Sequence, residues 1–426
     1  MCRTKISVIT GQNIIFISSI EWDFLWQGHQ EIAIRFARAG NRILYVENMG
    51  VRAPGLKDVG RVATRLKRWG KSLRTGGVRE VAPNIYVCSP LIMPPFASRL
   101  HRTLNRRLFL PLIRRTARKL GMRNALLWTY LPTDTALDLI NELRTQQGVV
   151  VYYCIADFAH LTPHTEKLLE SEQRIVETSD VVFAQGPELA EHCARWNSSI
   201  HIFPFGVNMD AFPLDPPVKD NSTSEDSYAP ASMCGLPRPV VGYIGGMHRH
   251  LDFSMLAVLA RMRPSWSWVF VGAIQTDVGE LATLPNVHLL GQHPHNELVR
   301  YIHGFDVCIV PYVDSAYTAT VVPTKINEYL AVGKPVVSTT LPAVCDFNRR
   351  HNVLLTAPAR AEEFLRTIEQ ALLLPNDAAT RIRRREVAAL GSWDTRLESM
   401  SELIEMKMKA KAVDKRGQVQ KARASA

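Results

Sequence analysis

The sequence predicts an α/β protein built from two parallel-sheet domains, and three observations carry that expectation. Short apolar runs rich in Val, Ile and aromatic residues alternate with helical patterns from end to end, the mark of parallel sheets flanked by helices. A stretch rich in Pro, Ser and Asp around residues 214–230 separates two such series. At 426 residues the chain is also too long for one ordinary core.

In the first series, strands are expected at 13–18, 42–47, 84–88, 125–129, 149–154, 180–184 and 200–204. The second series places them at 239–245, 266–272, 287–290, 306–311, 335–339 and 353–355. The expected division is a first domain at 1–213, a linker at 214–234 and a second domain at 235–392. A helix at about 393–408 around Trp393 is expected to pack back on the first domain, followed by a disordered basic tail at 409–426. In open α/β sheets ligands bind at strand C-termini, so a cleft faced by both domains is the expected site.

Composition narrows the class. The hydrophobic share of 46% describes a globular chain, and no segment is long and apolar enough for a membrane helix. The N-terminal apolar run is broken by Gly11-Gln12-Asn13, which reads against a cleaved signal peptide. Seven cysteines without a Cys-x-x-Cys pair point to mostly buried thiols in a reducing cytoplasm. The formal charge of +11 is concentrated between Arg52 and Arg123, where 18 Lys and Arg face only Asp58 and Glu80. Such a patch attracts an anionic surface. Within it, residues 98–119 set Leu100, Leu104 and Leu108 at helical spacing among arginines. That pattern fits an amphipathic helix lying on an anionic membrane, and equally a core-facing helix with a solvated basic face.

The segment most suggestive of chemistry is Pro323-Thr-Lys-Ile-Asn-Glu-Tyr-Leu-Ala-Val-Gly-Lys-Pro-Val-Val-Ser-Thr339. Pro323 suits the first helical position and Gly333 the place just past the end, predicting a helix of about two and a half turns. Lys325 and Glu328 then share one face near the N-terminal turn, where free N–H groups favour a phosphate. Upstream, Gly242-Tyr-Ile-Gly-Gly-Met-His-Arg-His250 follows a strand and opens a helix. Its Gly245 and Gly246 can let backbone approach a diphosphate, for which Arg249 offers a fork of donors.

Taken in order, Gly242-Tyr-Ile-Gly-Gly, Trp266-Ser-Trp-Val-Phe-Val-Gly272, Pro285-Asn-Val-His-Leu-Leu-Gly291, Phe305-Asp-Val-Cys-Ile-Val-Pro311 and the 323–336 segment resemble the donor-binding half of GT-B glycosyltransferases. The resemblance is to family 4-like enzymes of bacterial cell-wall and exopolysaccharide assembly, such as those of teichuronic acid. In the first half, the stretches 18–29, 180–184 and 206–208 resemble the same group. It implies a GT-B fold of two Rossmann-like domains and transfer of a sugar from a UDP- or GDP-sugar to a glycan or lipid-linked acceptor, with no cofactor. By the same resemblance, Gly245, Gly246, Arg249, Thr324 and Lys325 hold the diphosphate and Glu328 the ribose. The family's first glutamate is replaced here by Thr320.

Asp157, just past the strand at 149–154, is a candidate general base or a cap for the next helix, and His160 is a second candidate for the proton or the sugar. Trp22, Asp23 and His29 lie in the first strand-to-helix segment, which the resemblance sets beside the acceptor; packing is an equal reading for Trp22. The pairs His248-x-His250 and His293-x-His295 lack acidic or cysteine partners, so no metal is expected. A cytoplasmic enzyme, peripheral on the inner face of the membrane, is the resulting expectation, with no nucleic-acid partner. A nucleotide-sugar 2-epimerase of the same fold and a non-catalytic basic binding protein remain as alternatives, although few aromatics interleave the basic cluster.

Overall fold

The computed structural model describes residues 8–23, 26–47, 78–90, 92–93, 98–161, 164–216 and 228–424. The chain forms two compact units, one of residues 1–203 with 396–426, the other of residues 204–395.

The first unit runs β1 (Asn13–Ile17), α1 (Gly28–Arg38), β2 (Arg42–Val46), β3 (Val78–Ala82), β4 (Ile85–Cys88), α2 (Arg99–Leu104), a π-helical turn (Asn105–Phe109) and α3 (Leu110–Lys119). It continues β5 (Leu126–Thr129), α4 (Asp134–Leu143), β6 (Val150–Cys154), a 3-10 turn (Phe158–Leu161), α5 (Thr165–Thr178), β7 (Val181–Ala184), α6 (Pro187–Ala194) and β8 (Ile200–Ile202). The eight strands are ordered β3-β4-β2-β1-β5-β6-β7-β8, all parallel except β3, which runs antiparallel to β4. Strand β3 was not expected. Its sequence Val78-Arg-Glu-Val-Ala82 puts two charges side by side, so no apolar run marks it, and an edge position tolerates them.

The central strands are buried on both faces, which is why they read as continuous apolar runs. Alternation sorts their side chains. Ile15, Leu127, Tyr152, Cys154 and Val182 join one apolar cluster. Phe16, Trp128, Tyr153 and Phe183 point the other way and form a chain of ring contacts 5.5–6.1 Å apart.

The second unit comprises β9 (Val240–Ile244), α7 (Phe253–Met262), β10 (Ser267–Val271), β11 (Val287–Leu289), α8 (Leu298–Gly304), β12 (Val307–Val310), α9 (Ala316–Ala319), α10 (Lys325–Ala331), β13 (Val336–Thr339), α11 (Pro342–His351), β14 (Leu355–Ala357), α12 (Ala361–Leu373) and α13 (Ala378–Leu390). Its six strands are all parallel, in the order β11-β10-β9-β12-β13-β14. Strand order reverses at β1/β5 in the first sheet and at β9/β12 in the second, the two topological switch points where such sheets bind ligands.

The last helix, α14 (Trp393–Ala424), begins in the second unit and joins the first from Arg396. In the first unit Lys411 pairs with Asp180 at 2.7 Å and donates to the Gly148 carbonyl at 2.8 Å. The helix continues through Ala424 where a disordered tail was expected from 409: Lys, Ala, Gln and Arg are good helix formers and need no apolar stripe to stay helical. Most of the expected linker, 217–227, and the basic cluster at 61–74 lie outside the described residues. Among the described residues no helix is long and apolar enough to cross a membrane.

Candidate donor site in the second unit and acceptor-side residues in the first

At the second switch point, β9 is followed by Gly245-Gly246 and β12 by Pro311-Tyr312. Gly245 has φ +121°, a conformation that side chains rarely adopt, and a Cβ there would come within 3.1 Å of Lys325 Cε and 3.5 Å of its Nζ. At Gly272, after β10, a Cβ would lie 2.0 Å from the Gly245 carbonyl oxygen. These glycines let three backbone segments and one lysine share a small space.

Lys325 is the first residue of α10, with Thr324 at the N-cap making no side-chain cap bond. The expected helix start at Pro323 is therefore corrected by two residues, and the helix is seven residues long rather than two and a half turns. The Pro323 carbonyl instead accepts from Ile326 N–H at 3.2 Å. The far end matches expectation: Gly333, at φ +76°, takes the left-handed place past the helix, and buried Arg384 donates to its carbonyl at 3.0 Å.

Lys325 Nζ donates to Tyr312 Oη at 2.7 Å and lies 5.1 Å from the ring centres of both Tyr243 and Tyr312. Two aromatic faces and a phenol oxygen thus hold the ammonium at the end of β9. Tyr243 Oη donates to the Gly246 carbonyl at 3.2 Å, and Tyr329 Oη accepts from Ile244 N–H at 2.9 Å, fixing the loop from both sides. Glu328, one turn along α10, lies 3.1 Å from His295 Nε2. Arg249 is exposed in the β9–α7 turn, and Gly246 packs on Gln275, whose Nε2 lies 2.8 Å from a built Cβ. Thr320 closes α9, its Oγ1 donating to the Tyr317 carbonyl at 2.9 Å. Sequence reasoning missed Tyr243, Tyr312 and His295 as members of this site; Tyr312 and His295 are 13 and 33 residues from their partners, and a single chain carries no signal for those contacts.

His248 is pushed down to about 4, by burial first and then by Lys325, so it is neutral at pH 7. The two His-x-His pairs are used locally. His250 stacks on Tyr317 with ring centres 4.2 Å apart, and His293 lies 3.0 Å from Tyr301 Oη.

In the first unit, the expected acceptor-side residues lie between β1 and the first turn of α1 and are already engaged. Trp22 N–H donates to Glu47 Oε2 at 2.7 Å, and the indole meets Tyr45 edge-on at 5.1 Å. Asp23 pairs with Arg79 of β3 at 2.6 Å. His29 is buried in the first turn of α1 with its ring 3.9 Å from Tyr130, and burial lowers its pKa to about 3. The Asp157 carboxylate accepts from Ala159 N–H at 3.0 Å, the geometry of a cap on the 3-10 turn. His160 sits on that turn, its side chain outside the described ones.

On the basic helices, the π turn adds a residue to one turn and so rotates α3 relative to α2. Leu100, Leu108 and Leu112 are exposed while Leu104 is half-buried, and Ile113 and Ala117 face the core. Asn105 anchors the turn by donating to the Met93 carbonyl, and Arg102 forks onto Asp138 at 2.8 and 2.9 Å.

Comparison with known proteins finds likenesses in both sequence and fold. The model for "Glycosyl transferases group 1" matches residues 238–373. These residues of the second unit are similar to the glycosyl transferases group 1 family. The match spans β9 to α12, so Gly245, Lys325 and Glu328 all fall within it. The chain is 28% identical over 243 residues to TuaH of Bacillus subtilis, which is named as a teichuronic acid biosynthesis glycosyltransferase; the match covers 55% of this chain and 59% of that relative's length. Among solved structures, sucrose-phosphate synthase of Thermosynechococcus elongatus superposes with a TM-score of 0.65 at 20% identity, over 94% of this chain and 100% of that one. HepE of Anabaena in complex with UDP and glucose gives 0.64 at 14%, over 92% and 99%. The fold is GT-B.

Proposed function

We propose that this chain transfers a sugar from a UDP-sugar to a glycan or lipid-linked acceptor in bacterial cell-surface polysaccharide synthesis. The observation that carries the reading is the Lys325 ammonium, held between Tyr243 and Tyr312 against the Gly245 backbone at the switch point of a group 1 domain. The UDP moiety is favoured over GDP because HepE, of like fold, was solved with UDP.

In this reading Gly245, whose own N–H is donated to the Val271 carbonyl, leaves room for the diphosphate, and the Gly246 N–H, the Thr324 hydroxyl, Arg249 and Lys325 receive it. Negative charge grows on the diphosphate as the bond to the sugar breaks, so a fixed cation stabilises the transition state more than the ground state. Glu328, oriented by His295, accepts from the ribose hydroxyls. Asp157 takes the proton of the acceptor hydroxyl, with His160 as the neighbouring candidate. Trp22, Asp23 and His29 frame the acceptor side of the first unit. Exposed Leu100, Leu108 and Leu112 among arginines supply a surface for an anionic membrane that carries a lipid-linked acceptor.

The test is calorimetric titration with UDP, followed by UDP release from UDP-glucose and related donors with and without lipid-linked acceptors. Binding that is weakened in both Lys325→Ala and Glu328→Ala, with UDP release that needs acceptor, is the expected result. Release without acceptor would point to an epimerase, and no binding of any nucleoside diphosphate would overturn the reading. For the membrane surface, Leu108→Asp should reduce sedimentation with phosphatidylglycerol vesicles; equal sedimentation of both proteins counts against it.

A further inference from the structure

The first unit holds a second polar cluster, made of residues that none of the readings above uses. Cys154 ends β6, Glu172 lies in α5 and Cys193 in α6, all three buried, and their ligand atoms lie within 4.8 Å of one another. Among the described residues this is the one group of three such side chains so arranged. Tyr152 Oη donates to Glu172 Oε1 at 2.6 Å, and Cys154 Sγ is 4.0 Å from the same oxygen. His192 Nε2 lies 3.0 Å from the other oxygen, Oε2.

We propose that Cys154, Cys193 and Glu172 bind one zinc ion that ties β6 to α5 and α6. Two soft sulfurs and a carboxylate match the ligand preferences of zinc and poorly suit calcium or magnesium. In a tetrahedral zinc site sulfur and oxygen ligands stand about 3.6 Å apart and two sulfurs about 3.8 Å apart. The observed 4.0 Å between Cys154 Sγ and Glu172 Oε1 is within a few tenths of an ångström of that. Tyr152 Oη is the next polar atom at hand for the fourth position.

His192 Nε2, 3.0 Å from the outer carboxylate oxygen, fixes that carboxylate's orientation. With Cys154 at 1%, Cys193 at 0% and Glu172 at 4% exposure, no position is open to a substrate, so the ion is structural. Cys154 stands three residues before Asp157, so the ion would stiffen the loop that carries the proposed base. On binding, each thiol loses its proton to solvent as a sulfur–zinc bond forms, with no change of oxidation state.

The inference rests on first-unit side chains alone, so its failure leaves the proposed sugar transfer untouched. The experiment is zinc content by inductively coupled plasma mass spectrometry on full-length protein incubated with zinc chloride and gel-filtered. About one zinc per chain is expected, falling at least about tenfold in Cys154→Ser and in Cys193→Ser and unchanged in Cys234→Ser, whose thiol is exposed. Zinc-free wild type, or serine variants that hold as much zinc as wild type, would overturn the proposal. Should the serine variants fail to fold, the wild type decides: a chelator must lower Tm and zinc alone restore it, and a Tm indifferent to both sinks the idea.

Discussion

Each unit sets an ionisable side chain against a tyrosine hydroxyl, Glu172 in the first and Lys325 in the second, and the two are treated differently. In the first, Glu172 is sealed at 4% exposure, its oxygens facing Tyr152 and His192. In the second, Lys325 is only partly buried, with Tyr312 as hydrogen-bond partner and two rings about its ammonium. A sealed charge must be fully matched by its own protein, because water cannot help it. A half-open one, matched by neutral groups, can still receive an opposite charge from outside. The first arrangement suits structure and the second suits a ligand.

The largest expected effect that would break this contrast is on stability. Glu172→Ala removes the acceptor for Tyr152 and His192 together, and should lower unfolding free energy by about 3 kcal/mol with little change in UDP affinity. Urea denaturation and calorimetry read the two quantities separately; weakened UDP binding at unchanged stability would reverse the assignment. The mirror experiment is Lys325→Ala, predicted to weaken UDP binding by about 2 kcal/mol, roughly thirtyfold, while shifting Tm only slightly. An intact affinity there would remove Lys325 from the donor site.

A third prediction sharpens the contrast through pH. His29, fully enclosed in the first unit, has a folded pKa of about 3, well below the usual value of an unfolded histidine. The unfolded chain therefore binds a proton that the folded chain refuses, so stability is full above the unfolded pKa and falls as pH drops below it. Between pH 7.5 and 5.5 one such histidine lowers stability by about 1.4 kcal/mol. Comparing wild type with His29→Phe over that range should remove this slope; an identical slope would mean that His29 titrates normally. The smallest expected effect is at His295→Ala. Glu328 loses a partner yet keeps its place on α10, so UDP affinity should fall by about 1 kcal/mol, and a loss as large as that of Lys325→Ala would make His295 a direct ligand.

Much of the fold was legible in the chain because buried parallel strands leave an unmistakable record. Val150-Val-Tyr-Tyr-Cys154 and Val307-Cys-Ile-Val310 have no polar alternation to confuse with a surface element. Strand β3 was not legible, since Arg79 and Glu80 are tolerated only at an edge, and edges are properties of the assembled sheet. The shift of the donor helix from Pro323 to Lys325 is of the same kind: Pro fits either a first helical turn or the approach to one.

The sequence by itself determined the α/β alternation, the glycines at 245 and 333 and the pairing of Lys325 with Glu328 on one helix face, because each is fixed by spacing of fewer than ten residues or by a backbone conformation that few residues adopt. Tertiary structure alone decided what those groups meet. Tyr243 and Tyr312 reach Lys325 because β9 and β12 are neighbours at a reversal of strand order, and Cys154, Glu172 and Cys193 converge because the fold brings β6, α5 and α6 together. Contacts of that kind depend on sheet order, which no local pattern of residues encodes.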